Sequence, residues 1–258
     1  MTTAASLAGA HAIVTGANRG IGAAIVAALS AAGASVSLLV RDRDAGERLA
    51  AQLPGPAAVV TASVTDADAM AAAVAAAEAR LGPVSLAIAN AGAAESAPFR
   101  RTDAATWRRM LDVNLMGVVH LAQATVPAMV ERRAGRFVAI ASTAGLTGYP
   151  YVTAYTAAKH AVVGFVRALA HETAAHGVTV NAVCPGFTDT DLTAASVARL
   201  VATTGRTEEQ ARAALASGNP QGRLVTPDEV AATVAWLCSA GASAIHGQAI
   251  AVDGGERA

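Results

Sequence analysis

The sequence reads as an α/β fold, a doubly wound parallel sheet of about seven strands with helices on both faces. Short apolar, β-branched runs alternate with longer alanine-rich stretches along the whole chain. The short runs are apolar at nearly every position, which suits strands covered on both sides rather than strands with one wet face. Several of the longer runs start near an aspartate or stop at a glycine, the residues that cap helices. Hydrophobic residues make up 53% of the chain and charged residues 15%, which excludes disorder as the dominant state. With 3% aromatics, the core falls to Ala, Val, Leu and Ile. No linker, charge run or repeat divides the 258 residues, so one domain over 1–258 is expected, large enough to need no disulfide or metal staple.

The first strand is expected at residues 12–15, followed at once by Gly16, Asn18, Arg19, Gly20, Ile21 and Gly22. Glycines between a strand and a helix let the backbone turn tightly and let a pyrophosphate approach the helix N-terminus, whose free N–H groups attract anions. The spacing here is G-x-x-x-G-x-G, which differs from the commoner dinucleotide fingerprint. A helix over 21–32 should stop at Gly33, and a strand should follow at 35–40. The uncharged stretch 20–40 is as long as a membrane span, but Ser30, Gly33, Ser35 and Ser37 make it a helix, a turn and a strand. A site for NAD places a carboxylate about 20 residues beyond the glycines. Val40 and Arg41 stand there instead, and Arg41 with Arg19 would suit the 2′-phosphate of NADP. The bland alternative is that both arginines are solvated and Asp42 pairs with one of them.

Helices over 44–53, 66–81 and 103–132 alternate with strands at 57–61, 84–89 and 136–141, with Asp66 opening one helix and Gly82 closing it. The next helix, 151–176, carries Tyr155 and Lys159, a spacing of four that puts both side chains on one face. A phenol of ordinary pKa near ~10 is a poor acid at neutral pH, and a nearby ammonium is expected to lower it and make proton transfer reversible. Lys159 is the one lysine of the chain, against eighteen arginines, so this place calls for a compact ammonium rather than a guanidinium. Gly177 ends the helix, and a strand at 178–183 leads into the irregular stretch 187–223. That stretch is either a surface insertion or a lid, since it leaves a strand at the end where open α/β sheets bind ligands. A helix over 227–239, with Asp228 near its start, and a strand at 248–252 complete the pattern.

Nineteen basic residues balance nineteen acidic ones, which argues against a nucleic-acid or membrane-surface partner. Residues 1–10 lack the marks of a signal peptide, and Cys184 and Cys238 make no framework, so a reducing, cytoplasmic setting is expected. His171, Glu172 and His176 imitate a zinc-binding helix, but five residues turn the two histidines about 140° apart, and no metal is expected. Cys184 reads as a packed thiol. The pairs at Arg100, Arg108 and Arg132 read as solvated helix faces, or less simply as steering for a phosphate-bearing carrier.

With these motifs in place the chain resembles the short-chain dehydrogenase/reductases, in order and over nearly its whole length. Gly16, Gly20 and Gly22 look like that family's cofactor turn. Asn90, Ala91 and Gly92 look like its motif after the fourth strand. Asn114 matches a helix asparagine that holds a water, and Ser142, thirteen residues before Tyr155, matches the serine that binds the substrate oxygen. Pro185, Gly186, Thr188 and Thr190 resemble the segment beside the nicotinamide ring. Ala89 departs from the common asparagine, Ser63 and Val64 from the common Asp-Val pair at the adenine, and Thr188 from an aliphatic residue.

The resemblance implies a Rossmann-like sheet and hydride transfer between NADPH/NADP+, preferred over NADH/NAD+, and a carbonyl or secondary alcohol, a 3-oxoacyl thioester or another ketone. Ser142 would hold the developing alkoxide and Tyr155 would protonate it. Lys159 would tune the phenol, bind the nicotinamide ribose and pass the relay to the Asn114-held water. Tyr149, Phe187 and Leu192, with Ser142 and Tyr155, would line the substrate cleft. A homotetramer built on the two long helices and the last strand is implied as well. Two other functions compete with this one. The first is NAD-dependent oxidation of a secondary alcohol or 3-hydroxyacyl thioester, and the second is a nucleotide-sensing regulator without turnover.

Overall fold

Apolar runs too short for a helix and buried on both faces pair side by side into one sheet, described with the rest of residues 6–257 in a computed structural model. The strands are β1 (His11–Thr15), β2 (Ser35–Val40), β3 (Ala57–Thr61), β4 (Leu86–Ala89), β5 (Gly135–Ile140), β6 (Val178–Pro185) and β7 (Ala249–Val252). All are parallel, in the order β3-β2-β1-β4-β5-β6-β7. The helices are α1 (Gly20–Ala31), α2 (Arg43–Ala50), α3 (Ala67–Leu81), α4 (Ala104–Leu111), α5 (Gly117–Arg132), α6 (Thr153–Thr173), α7 (Asp191–Thr204), α8 (Glu208–Ala216) and α9 (Pro227–Cys238).

Alternate residues of each strand serve opposite faces, as the two-residue period of a strand requires. Ile13, Leu39, Phe137 and Val180 pack with α3, α5 and α6, whereas Val14, Leu38, Val138 and Val183 pack with α1 and α9. The stretch 20–40 resolves into α1 and β2 as expected. The run Ala104–Arg132 is long and apolar enough to cross a membrane by length and composition, yet Val118, Leu121, Val126 and Met129 bury it against the sheet.

Asp66 caps α3, as the sequence indicated, and Asp42 and Asp103 do the same for α2 and α4. Gly33 and Gly177 take the positive φ expected after a helix. Gly82, at φ 82 and ψ −178, takes a glycine-only extended turn instead of the left-handed helical one. The stretch 187–223 is less irregular than its sequence suggests, because it contains α7 and α8. Few of their residues are buried, so the apolar stripe that betrays a helix is weak, and a Thr207–Gln210 capping box starts α8. The expected single helix 103–132 is interrupted by one π-type turn, Asp112–Met116. The arginine pairs are only partly solvated faces: Arg109 grips Glu95 through two nitrogens, Arg132 donates to the Val84 carbonyl and Arg133 to that of Ala175.

Because β1 lies between β2 and β4, the winding reverses beside it. That reversal opens a crevice at the carboxyl ends of the strands, where doubly wound sheets take their ligands.

Candidate active site

The crevice floor is built from the glycine turn and the segment after β4. Thr15 Oγ1 accepts the backbone N–H groups of both Asn90 and Ala91 at 3.0 Å. The Asn90 amide returns the tie by donating to the carbonyls of Thr15 and Gly16, at 2.9 and 3.1 Å. A side chain at Gly22 would overlap the Gly16 carbonyl and the Asn90 amide, so the turn closes only around a glycine. At φ +64, with the Ala91 backbone against it, Gly16 has no room either. Unlike α2, α3 and α4, α1 has neither a capping side chain nor an acidic residue in its first turn. Its open N–H groups and the glycine cradle fit the pyrophosphate of a dinucleotide. Asn18 is half-buried in the turn, and Ile21 packs inward onto the core on the α1 side.

Arg41 is exposed at the end of β2, and Asp42 is spent on capping α2, its Oδ1 accepting from the Ala45 N–H at 3.1 Å. Arg41 therefore has no carboxylate partner among the described residues. Arg19 lies 3.7 Å from Asp191 at the start of α7, with both side chains largely exposed. Beyond β3, Ser63 is exposed and hydrogen-bonded to Thr65, while the Val64 carbonyl pairs with His120 Nδ1 at 2.9 Å.

Ser142, Tyr155 and Lys159 meet where β5 ends. Ser142 is extended and caps a short turn, Thr143–Gly145, that packs on α6 close to the Lys159 backbone. The one lysine of the chain is only 4% exposed, its Nζ donating to the Ile140 carbonyl at 2.8 Å and lying 5.7 Å from the centre of the Tyr155 ring. No carboxylate pairs with it among the described residues, and burial pushes its ammonium down to about 8. The phenol moves against expectation. Burial raises the Tyr155 pKa above the ordinary tyrosine value, and a hydrogen bond with Ser142 offsets this only in part. The ammonium, bound to a carbonyl on the strand, does not reverse that effect. Beneath the cluster, burial pushes the Cys184 thiol up to about 11, which makes it a packed thiol and no nucleophile.

Asn114 sits fully buried in the π-type turn, its amide donating to the carbonyls of Ala93 and Met110 and its Oδ1 accepting the Ala93 N–H. Both amide hydrogens are used, and the oxygen retains one acceptor site. Asn114 Oδ1 and Lys159 Nζ converge on Gly92, at 3.0 and 3.7 Å from the point a Cβ would take there.

Pro185 ends β6 in the buried core, and Gly186 follows it at the mouth of the crevice. Thr188 is buried with its hydroxyl donating to the Gly186 carbonyl, which ties the base of the 187–223 segment to the end of β6, and Thr190 packs against Gly20 of the glycine turn. Phe187 and Leu192 are exposed above the crevice, at 39% and 46%. Tyr149 packs edge-on against Phe187, ring centres 6.5 Å apart, but it is not a purely apolar wall, because its hydroxyl bonds Thr143 and Glu256. Glu256 was not anticipated. It lies beyond the last strand, outside any periodic element, and only the tail's path back across Gly186 and Gly218 brings it here.

Known proteins share this fold and much of this sequence. The family model described as short chain dehydrogenase matches residues 10–200. A 3-oxoacyl-acyl-carrier-protein reductase of Vibrio cholerae is 34% identical over 250 residues, covering 97% of this chain and 98% of that one. The structure of an actinorhodin polyketide ketoreductase variant with NADPH superposes with a TM-score of 0.90 at 34% identity, covering 96% of this chain and 97% of the other. Levodione reductase superposes with a TM-score of 0.92 at 29% identity, covering 96% and 98%.

The cradle is testable by filling it. Gly22→Ala is expected to displace the Gly16 carbonyl or the Asn90 amide and abolish measurable dinucleotide binding in a fluorescence titration, with the circular-dichroism spectrum of the fold retained.

Proposed function

We propose that this chain, which belongs to the short chain dehydrogenase family, reduces a ketone to a secondary alcohol, with NADPH supplying the hydride when bound. One observation carries the reading: a lysine buried without a carboxylate partner, beside a phenol and a serine at the strand ends. One hydrogen bond to a strand carbonyl is all the fold gains from this costly amine, and burial of that kind is what functional sites use. Ser142 donates a hydrogen bond to the substrate oxygen, Tyr155 hands that oxygen its proton, and Lys159 steadies the phenolate left behind. Asn114 positions the Gly92–Ala93 loop and offers its remaining acceptor site to a water on the route from Lys159.

The raised Tyr155 supports the reductive direction, since a phenol kept protonated serves as an acid before it serves as a base. Oxidation of a secondary alcohol or 3-hydroxyacyl thioester with NAD is the weaker reading for that reason. A nucleotide-sensing regulator would have no use for the buried amine. The residues suited to the cofactor are Gly16, Asn18, Arg19, Gly20, Ile21, Gly22, Arg41, Ser63, Val64, Asn90, Ala91, Gly92, Tyr155, Lys159, Pro185, Gly186, Thr188 and Thr190. The substrate, a 3-oxoacyl thioester or another ketone, lies among Ser142, Tyr149, Tyr155, Phe187 and Leu192, under a lid formed by 187–223 on a single domain. The chain works in the cytoplasm, consistent with two free, buried cysteines.

Assembly as a homotetramer follows the family, and β7 at the sheet's edge leaves backbone groups for a second copy to cover. Light scattering at micromolar concentration checks it, and a monomer there contradicts it.

For the proton donor, Tyr155→Phe keeps the ring and is expected to lower kcat by about 10²–10⁴-fold in steady-state reduction with NADPH, with cofactor binding retained. Near-normal turnover would make the tyrosine structural. The pH profile tests Lys159 separately. Its ammonium is present below about 8 and lost above it, so kcat/KM for reduction should be level below that pH and decline above it. Lys159→Arg, charged throughout, should be severely impaired and lack that inflection.

NADPH should exceed NADH by about ten- to a hundredfold in kcat/KM, the worth of one charge-assisted arginine–phosphate contact. Arg41→Asp should erase or invert the preference, and equal efficiency in the unmodified protein would remove Arg41 from the site.

A further inference from the structure

The C-terminal tail brings a carboxylate to the substrate side of the crevice. Glu256 Oε1 accepts the Tyr149 hydroxyl, whose other neighbour is Thr143 Oγ1 at 3.0 Å, one residue from Ser142. A phenol has one proton and a carboxylate can only accept, so that proton belongs to Glu256 and the Thr143 hydroxyl donates to the phenol oxygen. Burial and the adjoining carboxylate together push Tyr149 up to about 12, so this arrangement holds at any ordinary pH. The second oxygen, Oε2, has no hydrogen-bond partner among the described residues and stands 3.1 Å from where a Cβ on Gly186 would be. The tail is anchored on its near side. The Gly255 N–H donates to Asp253 Oδ1 at 3.0 Å, Asp253 is buried, and Asn219 fills the space beside Gly254. A half-buried carboxylate is thus fixed at one oxygen and open at the other, between Tyr149 and Gly186.

We propose that Glu256 is a specificity-determining residue that selects neutral ketones carrying a hydroxyl remote from the carbonyl and rejects ketones carrying a carboxylate at that place. The inference rests on the ketone-reducing reading above and adds the substrate class to it. An open carboxylate oxygen accepts a hydroxyl proton in a charge-assisted bond and repels a second anion brought beside it. A site built to pair a substrate hydroxyl discriminates far more sharply than one that only fits a shape.

Three ketones on one six-membered ring test this with NADPH: 4-hydroxycyclohexanone, cyclohexanone and 4-oxocyclohexanecarboxylate. In the unmodified protein kcat/KM should fall in that order. Glu256→Gln should lower the ratio of hydroxylated to carboxylated ketone by about tenfold or more, mostly through KM, because the charge is gone while the shape stays. Tyr149→Phe, which removes the one side-chain partner Glu256 has among the described residues, should narrow the same ratio by less. A ratio that moves under twofold in Glu256→Gln, or all three ketones losing efficiency together, would mean the tail is only a structural strap and would overturn the proposal. The reading beneath it fails separately. If the unmodified protein turned over no ketone, calorimetric titration of the same three molecules into the NADP+-saturated protein, and into Glu256→Gln, would still decide the preference by the same ratio.

Discussion

A wholly parallel sheet ends every strand at the same edge, and each crossover helix must carry the chain back before the next strand begins. From that constraint the site assembles. Gly16 leaves β1, Arg41 leaves β2, Asn90 leaves β4, Ser142 leaves β5, Gly186 leaves β6 and Glu256 leaves β7. Residues spread over most of the chain therefore share one rim, although few are close in sequence. The reversal of winding beside β1 then parts the flanking helices at that rim, and Thr15 and Asn90 lace the floor of the gap.

On this rim the protein holds an amine in unfavourable surroundings. Lowering Lys159 from 10.5 to about 8 means that these surroundings disfavour the charged form relative to the neutral amine, by roughly 3 kcal/mol compared with water. A single carbonyl, that of Ile140, offsets part of the cost. The same burial keeps Tyr155 protonated, so one environment sets both groups, a weakened ammonium and a strengthened hold on the phenolic proton. A carboxylate beside Lys159 would have countered that burial and raised its pKa again.

The architecture was legible because its strands are mostly apolar, β-branched runs and its turns are punctuated by glycine, so their places come within a residue or two of β1 to β7. The Tyr155–Lys159 pair was legible because a spacing of four is a statement about one helix face. What could not be read was set by tertiary burial. The phenol was expected to be lowered by its lysine and is raised by its surroundings. Helices α7 and α8 hide little apolar surface, so their strongest signal was the Thr207–Gln210 capping box. The π-type turn that holds Asn114 has no sequence signature, and Glu256 becomes part of the rim only because the tail folds back over Gly186.

The scarcity of lysine has a consequence for the protein's reactivity. Apart from the α-amino group, Lys159 is the one amine of the chain, buried to 4% exposure, and with a pKa of about 8 half of it is neutral and nucleophilic at that pH. Acylating reagents that decorate the surface of most proteins find eighteen arginines here instead, which they do not modify. Stable acylation of a side-chain amine is then confined to a single buried position and can occur only when the crevice opens far enough to admit the reagent. The rate of that one modification becomes a clock for the opening of the site, with no label introduced and no other lysine to obscure it.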